Sequence, residues 1–192
     1  MAKIAIFGGT FDPVHRAHAL IAKLAVEKFN LEKIIFVIAY VPPHKTKTYA
    51  DIKDRSEMLK LAIADLPRTE VSFFEADQKR AVYSYQTLDH FQALYPNDEI
   101  FMIIGSDSLK TLCEWKNIDY IAKKYRFIVA KRPKVKIPEG VKYSDSCIFM
   151  DADIHDISST EIRDMIKADN GKVTKSLDGK VYEYIKEHGL YE

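Results

Sequence analysis

The sequence predicts an α/β fold, a doubly wound and mainly parallel sheet with helices on both faces. Three observations predict it. Short, continuous apolar runs recur along the chain, as strands buried on both faces do. Between them lie segments whose apolar residues follow helical spacing. Two of the apolar runs end in glycine-containing loops, the place where open α/β sheets bind ligands, beyond the carboxyl ends of the strands.

Ile4 to Phe7 is the first apolar run and ends at Gly8-Gly9. Arg16 to Phe29 carries Ala17, Leu20, Ile21, Leu24, Ala25 and Phe29 on one helical stripe. Ile34 to Ile38 reads as the second buried strand, followed by the loop Tyr40-Val41-Pro42-Pro43-His44-Lys45. Ile52, Arg55, Leu59, Ala62, Ile63 and Leu66 mark a helix stopped by Pro67. Glu70 to Phe74 reads as a short strand and Gln86 to Leu94 as a helix ended by Tyr95-Pro96. Ile100 to Ile104, stopping at Gly105, and Phe127 to Ala130 are further strands. Helices near Ser159–Ala168 and Lys180–His188 close the chain.

At 192 residues the chain suits one domain over 1–192 that buries enough surface to need no disulfide or metal staple. Lys+Arg number 29 and Asp+Glu 28, so the net charge of +1 argues against adhesion to nucleic acid or an anionic membrane by bulk charge. Cys113 and Cys147 are too few for a disulfide framework. The apolar N-terminal run is shorter than the roughly 7–15-residue core of a signal peptide, and no apolar stretch is long enough to span a bilayer. A cytoplasmic protein is expected.

The loop Gly8-Gly9-Thr10-Phe11-Asp12-Pro13-Val14-His15-Arg16-Ala17-His18 follows the first strand and opens a helix. Its glycines let backbone approach a ligand, and helix N-terminal N–H groups attract anions. It is neither a G-x-G-x-x-G fingerprint nor a P-loop. His15 and His18, three residues apart, share a helix face and can reach one phosphate. No third residue stands at a zinc-ligand spacing. Late in the chain, Ile157-Ser158-Ser159-Thr160-Glu161-Ile162-Arg163 fits a helix N-cap and a capping box. Its hydroxyls, helix N–H groups and Arg163 also suit a polyphosphate.

Together these strings resemble the nucleotidylyltransferase superfamily, with its H-x-G-H and late S-x-T-x-x-R motifs, and within it the bacterial nicotinate-nucleotide adenylyltransferases. The resemblance continues through Val41-Pro42-Pro43-His44-Lys45, Tyr83-Ser84-x-x-Thr87-Leu88, Gly105-x-Asp107-Ser108-Leu109, Trp115, Lys131-Arg132-Pro133 and Gly189-Leu190-Tyr191. It implies a Rossmann-like fold and a cytoplasmic enzyme of pyridine-nucleotide synthesis. The chain departs from the family at Ala17, where a methyl group is expected to crowd nucleotide or backbone, and at Ser84, which keeps a hydroxyl but loses a methyl.

The implied reaction is transfer of AMP from ATP to nicotinate mononucleotide, by in-line displacement with no covalent enzyme intermediate. Gly8, Gly9 and Thr10 would cradle phosphate, with Phe11 beside them. His15 and His18 would donate to the α-phosphate. Ser158, Ser159, Thr160 and Arg163 would hold the outer phosphates, and Gly105 and Asp107 the nucleoside. His44 and Lys45 would face the mononucleotide phosphate, Trp115 would stack on its ring, and Tyr83, Ser84 and Arg132 would receive its carboxylate. Mg²⁺ would ride on the phosphates rather than in a protein cage. ATP and nicotinate mononucleotide are the expected partners, with no nucleic acid and no membrane; a homo-oligomer is compatible with the sequence. The rival substrates are nicotinamide mononucleotide, phosphopantetheine and glycerol phosphate. Rivals of other classes are an RNA-binding module, prompted by the basic run Lys123 to Lys136, and a non-catalytic nucleotide sensor.

Overall fold

The computed structural model describes residues 1–41, 47–131, 140, 142–152, 158–168 and 171–192. Six strands form one sheet in the order β3-β2-β1-β4-β5-β6, every neighbouring pair parallel. They are β1 (Lys3–Gly9), β2 (Lys33–Ile38), β3 (Thr69–Ser72), β4 (Glu99–Gly105), β5 (Arg126–Lys131) and β6 (Cys147–Asp151). The helices are α1 (Arg16–Phe29), α2 (Ile52–Ile63), α3 (Phe74–Asp77), α4 (Ser84–Leu94), α5 (Ile118–Lys124), α6 (Ser159–Lys167) and α7 (Gly179–Glu187).

The central strands are apolar throughout because both their faces are covered. Alternate residues go to opposite sides, so Ala5, Phe7, Ile34 and Phe36 join the core under α1, α2 and α7. Ile4, Ile6, Ile35 and Val37 join the second core under α4 and α5. No helix among the described residues is long and apolar enough to cross a membrane.

Strand order reverses direction between β1 and β4, which makes that junction the topological switch point. Pairing of these two strands runs from Lys3↔Glu99 to Ile6↔Met102 and stops there. Beyond it, Phe7–Gly9 and Ile103–Gly105 separate, while β1 keeps its partner β2 as far as Gly9↔Ile38. This opening positions the site.

Three elements differ from the sequence reading. The Ser72 hydroxyl accepts the Phe74 N–H at 3.2 Å, which ends β3 and turns Phe73-Phe74 into α3 rather than extending the strand. Helix α5, of seven residues, and edge strand β6, of five, are short elements that the sequence reading lacks. Two lysines of the basic run are engaged in ion pairs, Lys124 with Asp89 at 2.8 Å and Lys131 with Asp151 at 3.0 Å.

Candidate active site

A cleft of about 770 Å³ opens at the switch point. The strand ends Gly8, Gly9 and Thr10 form one wall and Gly105 and Asp107 another. Tyr83 and Ser84, at the start of α4, and Trp115 form the far end. All eight come from the sequence-predicted set. Trp115 packs edge-on against buried Phe127, with centroids 6.1 Å apart at 83°. Across the cleft, the Lys116 ammonium lies 4.4 Å from the centre of the Tyr83 ring, joining the Trp115 segment to the start of α4.

The second group of predicted residues gathers around the Asp12-Pro13 turn. His15 caps α1, and its backbone N–H donates to His18 Nδ1 at 3.2 Å. An accepting Nδ1 places the proton of neutral His18 on Nε2, making that atom a donor. The two imidazoles lie 3.8 Å apart between centroids. Phe11 is 2% exposed and in the left-handed backbone region at φ 51°. Its ring packs on His18 at 5.1 Å and on Phe7 and Phe36. The Phe11 side chain supports His18 from the core, so of this residue only the backbone is left for a nucleotide.

The late motif is tied to the early one. Ser159 Oγ donates to the Pro13 carbonyl at 2.9 Å. Arg163 donates through Nη1 to the Asp12 carbonyl at 2.7 Å and through Nη2 to Thr160 Oγ1 at 3.0 Å. Its guanidinium lies 4.0 Å from the centre of the Tyr49 ring. Ser158 and Glu161 form the full capping box: Ser158 N–H donates to Glu161 Oε2 at 2.8 Å, and Glu161 N–H to Ser158 Oγ at 3.2 Å. In this arrangement the hydroxyls of Ser158, Ser159 and Thr160 bond within the protein. The backbone N–H groups of Ser159 and Thr160, in the first turn of α6, have no intrahelical acceptor.

The Ala17 methyl group is buried in the hydrophobic core with Ile21 and Ala22. His44, Lys45 and Arg132 lie outside the described residues.

Sequence reasoning missed two groups that hold this architecture. Asp12, quoted only as part of a string, is 3% exposed. It accepts Tyr49 N–H at 2.7 Å, Ala50 N–H at 3.1 Å and the Tyr191 hydroxyl at 2.8 Å. Burial beside Asp12 raises the Tyr191 pKa far above the usual phenol range, so that hydroxyl remains a donor. Arg55, taken as a helix-stripe residue, is 1% exposed. It donates to the carbonyls of Thr10 (2.9 Å), Ala39 (2.7 Å) and Tyr40 (3.1 Å), stapling the loops after β1 and β2 together. Burial lowers its pKa, with the Asp12 charge opposing. An arginine on an otherwise apolar helix stripe was the available signal, because a buried guanidinium requires acceptors.

Gly9 has a definite steric role. A Cβ there would lie 2.8 Å from the Phe11 ring. Gly9→Ala is expected to cost about 1–3 kcal/mol of stability by displacing that buried ring. It should also reduce turnover through His18; urea unfolding and steady-state kinetics read the two effects.

A cleft at the switch point of a parallel sheet, flanked by a paired-histidine turn, is the arrangement of a nucleotidyl-transferring class of α/β protein. The chain belongs to the cytidylyltransferase-like family, whose model matches residues 6–165. It is 57% identical over 193 residues to the "Probable nicotinate-nucleotide adenylyltransferase" of Endomicrobium trichonymphae, covering the whole of both chains. It is 40% identical over 203 residues to the protein of the same name from Clostridium tetani, again over the whole of both chains. The fold matches that of the Plasmodium falciparum nicotinic acid mononucleotide adenylyltransferase complexed with NaAD. The TM-score is 0.86 at 21% identity, covering 100% of this chain and 98% of that one.

Proposed function

We propose that the protein transfers AMP from ATP to nicotinate mononucleotide, giving nicotinate adenine dinucleotide and pyrophosphate. The observation that carries this reading is that one cleft joins the Gly8–Thr10 and Gly105–Asp107 loops to Tyr83, Ser84 and Trp115. Full-length identity to relatives bearing that activity in their names supports the choice of substrate.

An oxygen of the mononucleotide phosphate attacks the α-phosphorus of ATP. The new P–O bond forms as the α–β bridging P–O bond breaks, and pyrophosphate departs with the electron pair. No side chain needs to become attached, so catalysis is positioning and charge stabilisation. Backbone at Gly8–Thr10 admits the phosphates closely. The His18 Nε2–H, with His15 beside it, donates to the α-phosphate oxygens as charge builds. The first N–H groups of α6 receive the leaving pyrophosphate, with the Arg163 charge behind them, where it ties α6 to the first loop through Asp12 and Thr160. At the other end, Trp115 provides a ring surface for the pyridine, and the N-terminus of α4 at Ser84, with Lys116 near it, favours the carboxylate.

Among the described residues no group of three or more His, Cys, Asp or Glu converges as a metal cage. In this reading Mg²⁺ would be carried on ATP and would neutralise phosphate charge, with the Asp107 carboxylate on the cleft wall as the residue to hold it. ATP and the mononucleotide are its partners in this reading, with no role for nucleic acid or membrane, and the cytoplasm is its setting. A self-association equilibrium is compatible with it.

The test is pyrophosphate release with ATP and Mg²⁺, offering nicotinate mononucleotide, nicotinamide mononucleotide and phosphopantetheine in parallel. Faster turnover of the carboxylate substrate is expected. Preference for phosphopantetheine, or turnover of none, would overturn the reading.

A further inference from the structure

Thr87 belongs to the string Tyr83-Ser84-x-x-Thr87-Leu88, yet it does not line the cleft. It is 1% exposed, and its hydroxyl donates to Glu75 Oε1 at 2.6 Å. Glu75, on α3, does line the cleft. Ser84 is the first residue of α4 and Thr87 stands three residues on, a spacing that puts side chains roughly 5–6 Å apart on one helix face. A carboxyl group is thus held about one helical turn from the N-terminus of α4, where the reading above seats the substrate carboxylate.

We propose that Glu75, held by Thr87, sets the preference between acid and amide substrates: its neutral carboxyl donates to the substrate carboxylate, and its ionised form repels it while sparing the amide. This rests on the nicotinate reading of the cleft. Juxtaposed carboxyl groups share a proton because both cannot ionise cheaply at short range. Burial already raises the Glu75 pKa, and the hydrogen bond from Thr87, which favours the ionised form, offsets part of that rise. Among the described residues, the other charged or titratable groups lining the cleft are Tyr83, Asp107, Glu114 and Lys116. His90 of α4 is stacked on Phe74 at 3.8 Å, and Lys60 of α2 lies over the Phe73 ring at 5.9 Å. Lys116 over the Tyr83 ring adds its cation to both proton states of Glu75, and burial lowers the His90 pKa, so neither replaces Glu75 as the acid beside α4.

The sign follows directly. As pH rises through the Glu75 pKa, the group ionises and the carboxylate substrate is disfavoured. The quantity to measure is the ratio of kcat/KM for nicotinate mononucleotide to that for nicotinamide mononucleotide, from pH 5.5 to 9. The ratio cancels titration of ATP, of the shared phosphate and of the histidines. In the wild type it is expected to fall by about tenfold per pH unit above a break. Glu75→Gln keeps an acceptor for Thr87 and cannot ionise, so its ratio should be independent of pH. Thr87→Val removes the bond that favours the ionised form, so its break should move to higher pH; a merely structural threonine would not shift it. Circular dichroism confirms that each variant is folded. A preference for the acid whose pH profile is unchanged by Glu75→Gln overturns the proposal alone. A wild type that uses neither mononucleotide overturns the nicotinate reading and the proposal with it.

Discussion

Replacing His18 with alanine is expected to lower turnover, at saturating ATP and mononucleotide, by about 10²–10³-fold, the usual loss for one preorganised donor to a developing anion. ATP affinity should change little. The preorganisation is visible. The His15 N–H occupies Nδ1 at 3.2 Å and so commits the donor role to Nε2. The ring is clamped between His15 at 3.8 Å, Phe11 at 5.1 Å and Phe7 at 5.8 Å. A donor fixed in this way does not reorganise as charge builds on the α-phosphate. His18→Asn, whose amide can accept the His15 N–H and still donate, should recover part of the loss. Pyrophosphate release under saturation reads the effect on kcat, and equilibrium binding reads ATP affinity. A change confined to the KM for ATP would mean that His18 binds ground-state nucleotide and does not act on the transition state.

The parts of this site made of contiguous residues were legible in the sequence, and the parts made of distant partners were not. Gly8-Gly9 announces a close backbone approach, and the pair His15 and His18 shares a face by spacing alone; both follow from local rules. Arg55 carries no such mark. What makes it the staple of the site is that Thr10 and Ala39 present carbonyls to it from the ends of two other strands. The same holds for Glu75, whose partner Thr87 is on a different helix. Ser159 and Thr160 were recognisable as polar groups at a helix start, but their commitment to Pro13 and Arg163 depends on how α6 docks against the first loop. The direction of the Phe11 ring was hidden for a related reason. A residue inside a ligand-binding string reads as a ligand contact, whereas its left-handed backbone sends the ring into the core. Among the elements, β1 and β4 stand out because burial on both faces makes them continuously apolar. Strand β6 escaped notice because it lies at the sheet edge, mostly half-buried, and its five residues end in exposed Asp151.

Asp12→Ala should cause the largest loss of stability, about 3–5 kcal/mol, as expected when one partner of a buried charge cluster is removed. The carboxylate is a counter-charge for buried Arg55 and the acceptor for three donors, while its backbone carbonyl accepts from buried Arg163. Its removal leaves the Tyr191 hydroxyl and the N–H groups of Tyr49 and Ala50 without an acceptor, and it leaves the buried Arg55 guanidinium with backbone carbonyls but no counter-charge from Asp12. For a chain of this size the loss corresponds to a fall in Tm on the order of 10 °C. Asp12→Asn separates the contributions. The amide keeps the shape and one acceptor oxygen, so hydrogen bonding is partly retained while the charge is lost. If counter-charge dominates, Asn should destabilise nearly as much as Ala; if acceptance dominates, it should recover much of the loss. Activity offers a second readout. Tyr49, which Asp12 anchors through its backbone, forms the ring surface beneath Arg163. Asp12→Asn, measured where it is fully folded, should therefore show a lower kcat than wild type. A variant that unfolds at the wild-type urea midpoint would show that Arg55 and Arg163 are held by their backbone carbonyls alone, and that Asp12 is not the keystone of the turn.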